Sequence, residues 1–222
     1  MGSKRVFITA DHGLSVVYFL QSDVVSTLLE AGMEVVLLTD DDLVDRISNR
    51  FAKPGLIVEG LHIKQAEYYY RHEHHDTQWW LNFLRRAGGS RRINTEAMDA
   101  YIRQIQTEQR SPRRRLMYLP MRPMVEVLRN SSAARKALVQ IQKRYTPGLY
   151  KDLLDRYKPD MVIANTPGWR IDRYIMREAA ARGIPNAAAI VGWDNPSSYA
   201  ISGAPTQHVT CWSEKQKEEL VL

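Results

Sequence analysis

The sequence predicts an α/β fold, a doubly wound parallel sheet that carries a basic, helical insertion at about residues 64–157. Three observations lead there. Short apolar strands alternate with helical stretches through short links toward both ends of the chain, as parallel βαβ construction requires. Those strands read as near-continuous apolar runs, the pattern of a sheet covered on both faces. Between about Gln65 and Tyr157 the alternation stops, the periodicity turns helical and the charge turns strongly positive.

Lys4–Ala10 predicts the first strand. Asp11-His12-Gly13 interrupts it before one long amphipathic helix, about Leu14 to Ala31, with Val17, Leu20, Val24 and Leu28 near helical spacing and Gly32 as its stop. Met33–Thr39 is the second strand; Asp40, Asp41 and Asp42 then stand at a helix start, where carboxylates suit the positive end of the dipole. A third strand, Leu56–Leu61, follows Lys53-Pro54-Gly55. Within the helical stretch, breaks are expected at Gly88-Gly89-Ser90, Ser111-Pro112, Pro120, Pro123 and Thr146-Pro147-Gly148. Alternation resumes with a strand at Asp160–Ala164, a helix near Trp169 to Arg182, a strand ending at Val191, a strand at His208–Trp212, and a helix-forming run from Glu214 to Leu220.

With 222 residues, 44% of them apolar, the chain is read as a single domain, and no repeat or linker divides it. No apolar run nears the roughly 18 residues a spanning helix needs, and Met1-Gly2-Ser3-Lys4-Arg5 leads directly into a strand, so a cytoplasmic protein is expected. The single cysteine, Cys211, excludes an intrachain disulfide and a cysteine-rich zinc site, and its strand setting predicts a buried, inert thiol. The net charge of +6 is unevenly placed: Arg85 to Arg144 holds 15 Lys and Arg against four acids, a local excess of +11 that leaves −5 elsewhere. Such a segment suits anionic lipid or a phosphorylated substrate, and equally a plain solvated face. The run Arg110-Ser111-Pro112-Arg113-Arg114-Arg115 has no zinc ligands, recognition-helix pattern or aromatic RNA-binding signature around it, which disfavours nucleic acid.

Three strand ends could carry chemistry, because ligands of open α/β sheets bind outside the carboxyl ends of the strands. The loop after the first strand places a carboxylate, Asp11, beside an imidazole, His12, followed by Gly13 and Ser15 at a helix start; either Asp11 or His12 could act as a general base. It contains no G-x-G-x-x-G and no G-x-x-x-x-G-K-[ST], so dinucleotide and P-loop chemistry are disfavoured. The second end carries Asn165, Thr166 and Arg170, which suit an anionic or hydroxylated ligand, although helix capping by Asn165 or Thr166 explains much of the pattern. The third is Trp193-Asp194-Asn195-Pro196-Ser197-Ser198: an apolar plate beside groups that orient hydroxyls suits a sugar, and a tight turn is the plainer reading. His72-Glu73-His74-His75-Asp76 has metal-ligand spacing if it lies on one helix, but no partner cluster is recognisable and no metal is expected. Its neighbours Tyr68-Tyr69-Tyr70 and Trp79-Trp80 fit a half-buried helix at a membrane or partner surface.

The pairing of the W-D-N-P-S segment, Trp193 to Ser198, with the V-x-x-W-S-E-x-Q-x-E segment, Val209 to Glu218, resembles the amino-terminal half of bacterial GT-B glycosyltransferases of surface-polysaccharide type, including relatives of the glycerophosphotransferases. The A-G-M-E-V-V-L-L turn into the second strand and K-P-D-M-V-I-A before Arg177 to Pro185 agree more loosely. The resemblance implies a Rossmann-like domain, one half of a two-domain transferase, that binds the acceptor and supplies the base from Asp11 or His12. Trp193, Asp194 and Asn195 become cleft wall. A carboxyl-terminal donor domain, of about 150–200 residues, is then expected beyond Leu222, where the chain stops in an opening helix. No cofactor is expected in this chain, and a nucleotide-sugar donor is expected for the full enzyme. The acceptor would be a glycan or lipid-linked glycan, met at the anionic inner face of the membrane. The rivals are a sugar-nucleotide epimerase on the same fold and a non-catalytic subunit that recruits a separate donor-binding chain.

Overall fold

The structure, a computed structural model, describes residues 3–93, 96–108, 111–190, 192 and 199–220. Six strands, β1 (Arg5–Ala10), β2 (Glu34–Thr39), β3 (Leu56–Gly60), β4 (Met161–Ala164), β5 (Asn186–Ala189) and β6 (His208–Thr210), make one all-parallel sheet in the order β3-β2-β1-β4-β5-β6. This is a Rossmann-like arrangement whose strand order reverses between β1 and β4. Parallel neighbours need crossovers, and the crossovers put helices on both faces.

Side chains alternate across the sheet, and each face has its own core. Phe7, Val36, Leu38 and Val162 pack with Leu61, Tyr150, Tyr174 and Ile175. Val6, Ile8, Val35 and Leu37 pack on the other side with Phe19, Val25 and Ile47, from helices α1 (Gly13–Leu20), α2 (Asp23–Glu30) and α3 (Val44–Arg50). The acids after β2 act as caps and partners: Asp40 accepts from Asp42 N, Asp41 from Ile63 N, and Asp42 pairs with Lys64.

The single helix expected at about Leu14 to Ala31 is two helices. Ser22 ends the first by donating to Tyr18 O and caps the second by accepting from Val24 N, the local competition with helix that serine offers. Val17 and Val24, which the spacing assigned to the apolar stripe, are exposed, while Phe19 and Val25 are buried.

The insertion is helical, as expected: α4 (Ile63–His72), α5 (His75–Ala87), α6 (Glu96–Glu108), α7 (Pro112–Asn130), α8 (Ser132–Ile141) and α9 (Lys151–Tyr157) lie between β3 and β4. Four of these helices build another core around Leu81, Phe83, Leu84, Ile102, Val125 and Leu138. Pro120 and Pro123 do not break α7. Both lie on its exposed side, while Met121, Val125 and Leu128 hold the opposite side in the core, so packing outweighs the lost hydrogen bonds. The His72–Asp76 run is likewise not one helix, because His74 has φ 51° between α4 and α5, so helical ligand spacing does not apply. Helix α10 (Arg173–Ala181) starts later than expected, α11 (Glu214–Leu220) follows β6, and Cys211 lies half-buried just past that strand. Among the described residues no helix is long and apolar enough to cross a membrane.

Two buried arginines join the insertion to the sheet. Arg177 of α10 donates to Gly203 O (2.7 Å), to Tyr145 O (2.7 Å) and to Gln142 Oε1 (2.9 Å). Arg85 of α5 donates to Asn82 Oδ1 (2.7 Å) and, at 3.4 Å, to the carbonyls of Tyr199 and Ile201.

Candidate functional site

The register of β1 on β4, with Val6 opposite Met161 and Ile8 opposite Ile163, brings the two carboxyl ends side by side. The loops that follow, Asp11-His12 and Asn165-Thr166, therefore meet at the reversal of strand order, the position where open α/β sheets bind ligands. His12 is the residue before α1, in extended backbone, and its side chain does not cap the helix. Its imidazole is free to turn toward Asp11.

A hydrogen-bonded cluster ties the two loops together. Asn165 Nδ2 donates to Asp11 Oδ1 and to Ser15 Oγ, both at 2.6 Å, across 154 positions of sequence in the first case. Its Oδ1 accepts from Thr9 Oγ1 at 3.2 Å, so the buried amide is satisfied at both ends. His12 Nδ1 lies 2.6 Å from Asp11 Oδ1, and Ser15 Oγ flanks the ring at 2.8 Å from Nδ1 and 3.3 Å from Nε2. Arg170 Nε donates to Asp11 Oδ2 at 2.8 Å. The Asp11 side chain is 1% exposed, whereas those of His12 and Arg170 are 31% and 45% exposed. The cluster thus presents an imidazole and a guanidinium to solvent, both held by one buried carboxylate.

Burial by itself would raise the Asp11 carboxyl, but hydrogen bonds from His12, Arg170 and Asn165 outweigh it and hold Asp11 below its ordinary range. An ionised Asp11 can only accept, so the ring donates to it through Nδ1, and a neutral imidazole held this way would offer Nε2 to an incoming group. Beneath the second loop, Asp172 accepts from Thr166 N (3.1 Å), Thr166 Oγ1 (2.6 Å) and Arg170 N (3.1 Å). Complete burial, and then the charge of Asp11, push its carboxyl up to about 7.

The structure brings Asp11, His12, Ser15, Asn165 and Arg170 into one cluster, as the convergence of strand ends implies. Gly13 opens α1 beside it, with open space where a Cβ would stand. Ser15, Asn165 and Thr166 are buried, so they hold the exposed groups rather than reach outward. Asn165 and Thr166 do not cap a helix; Asp172 stands before α10 and binds back to Thr166. Trp193, Asp194 and Asn195 lie outside the described residues. Thr9 and Asp172, which bound the two candidate stretches in the sequence without being singled out as site residues, belong to the cluster. Asp172 was legible as an aspartate before a helical run, had the helix not been started at Trp169. Compared with known proteins, the chain matches no protein-family model and no curated protein.

Proposed function

We propose that this chain is the acceptor-binding half of a nucleotide-sugar-dependent glycosyltransferase of cell-surface glycan synthesis, with His12 as the base. The observation that carries the reading is the 2.6 Å contact of His12 Nδ1 with buried Asp11 at the switch point of the sheet. With Nδ1 protonated toward Asp11, Nε2 takes the proton of an acceptor hydroxyl, and the imidazolium that forms lies beside a carboxylate. The acceptor oxygen bonds to the anomeric carbon of the donor as that carbon's bond to the diphosphate breaks, and nucleoside diphosphate leaves. Arg170, half-exposed beside the base, suits a phosphate or hydroxyl of the substrates. The donor would be held by the second domain that the resemblance implies. The local excess of +11 in the insertion supports an acceptor or leaflet that carries negative charge, at the inner face of the membrane.

The test uses the enzyme with its donor domain. His12→Ala is expected to lower kcat for acceptor-dependent release of nucleoside diphosphate by roughly 10²–10⁴-fold, the usual worth of a positioned base. Asp11→Asn should lower it as well, with far-ultraviolet circular dichroism unchanged in both. Turnover within about threefold of wild type in His12→Ala would refute the assignment. Release of nucleotide without any dependence on acceptor would refute transfer.

A further inference from the structure

We propose a phosphate-binding site in the helical insertion, in a cleft of about 480 Å³ where the segment after α5 meets the end of α7 and the start of α8. It shares no residue with the His12 cluster and stands independently of the transferase reading.

The cleft is lined by Arg91, Arg92, Arg129 and Arg135, with Ser90, Asn130 and Ser132. Two of the four guanidiniums already have acids: Arg91 pairs with Glu126, and Arg129 donates to Asp99 at 2.8 Å and to Ala87 O at 2.9 Å. Arg92 and Arg135 have none among the described residues. Arg135 is only 6% exposed. Its Nη1 donates to Leu128 O (2.6 Å) and Arg129 O (3.1 Å), while its Nε is buried without a partner. A buried guanidinium bonded only to carbonyls is costly to keep charged, and an anion in the cleft would remove that cost. Burial, and then the charge of Arg92, lower the Arg135 pKa, as two cations facing one space must do.

The backbone points to the same ligand. Helix α8 starts at the cleft: the Ser131 hydroxyl takes the N–H of Ala134, and the amides of the first turn before it have no partner inside the helix. The positive end of a ten-residue helix therefore adds to two uncompensated guanidiniums. Forked guanidiniums beside hydroxyls match the oxygens of a phosphate or diphosphate, and the volume admits either. The lining holds no aromatic ring on which a nucleic-acid base could stack. The phosphate could come from a soluble ester or from a lipid headgroup, because α7 also exposes Leu116, Leu119, Met124 and Val127 along its outer side.

Titration calorimetry with inorganic pyrophosphate at constant ionic strength tests the site. Saturable binding is expected, weakened about tenfold or more by Arg92→Glu and unaltered by Arg50→Glu, which makes the same charge change at an exposed residue at the end of α3. Arg92 is exposed, so its replacement leaves the fold intact; Arg135 is left alone because it holds the end of α7. Flotation with phosphatidylcholine vesicles, with and without phosphatidic acid, separates the sources. Flotation that requires phosphatidic acid and is lost in Arg92→Glu assigns the headgroup; pyrophosphate binding without flotation assigns the soluble ester. No saturable binding in either arm, or equal weakening by Arg50→Glu and Arg92→Glu, would overturn the proposal. His12→Ala should leave pyrophosphate affinity unchanged, which keeps this result separate from the fate of the transferase reading.

Discussion

Asp172 has no exposed surface, and its carboxyl sits at about 7 because burial disfavours its charge and Asp11 repels it. Between about 3.8 and 7 the folded protein therefore keeps a proton that the unfolded chain releases. The stability this contributes is complete below pH 3.8 and is lost as the pH rises through about 7. Asp11 has the opposite sign: held below 3.8, it contributes stability that is lost as the pH falls through its folded value. The two windows separate, so Asp172 can be read by itself. Asp172→Asn keeps an acceptor for Thr166 and abolishes the titration, and its stability in urea denaturation should fall less steeply than wild type's between about pH 4 and 7. Parallel curves would mean that Asp172 is ionised in the folded protein throughout that range. The sequence offers Asp172 as an aspartate before a helical run but not its shift, which comes first from complete burial and then from Asp11, a residue of another loop.

At the scale of elements, the carbonyl of Gly168 in the loop before α10 meets the backbone of Gly203, whose N–H donates to Pro167 O at 2.9 Å. A Cβ on Gly203 would stand 1.7 Å from Gly168 O, and backbone, not a movable side chain, is in the way. Gly203→Ala should therefore cost at least about 3 kcal/mol, at the upper end of overpacking effects, measured by chemical denaturation. A loss below about 1 kcal/mol would show that the two loops part easily. The strands were legible because their apolar runs are local, and so was the helical character of 64–157. The split at Ser22 and the continuity of α7 through two prolines were not: the first turns on a serine side chain competing for nearby backbone groups, the second on the core that the far side of α7 touches. Periodicity reports spacing, and it read Val17 and Val24 as core where Phe19 and Val25 are buried.

For the whole molecule, the sheet class and the meeting of Asp11 with Asn165 followed from topology alone, because strand ends of a doubly wound sheet converge on one edge. The attachment of the insertion did not. It rests on Arg85 and Arg177, whose partners lie up to 116 positions away, and no motif announces them. Their arrangement bears on cooperativity. The insertion has a core of its own, yet Ile201, from the segment between β5 and β6, is part of that core, and Arg177 of α10 bonds Tyr145 and Gln142 beyond α8. An insertion that unfolded alone would strip Ile201 of its packing and leave a buried guanidinium with only Gly203 O. Calorimetry should therefore give one transition with equal calorimetric and van't Hoff enthalpies. Arg177→Met removes three charge-assisted bonds, each worth about 1.5–3 kcal/mol, so it should lower stability by at least about 3 kcal/mol and broaden or split the transition. Two resolved transitions in the wild-type protein would show instead that the insertion folds as a separate unit, and that the arginines only hold it in place.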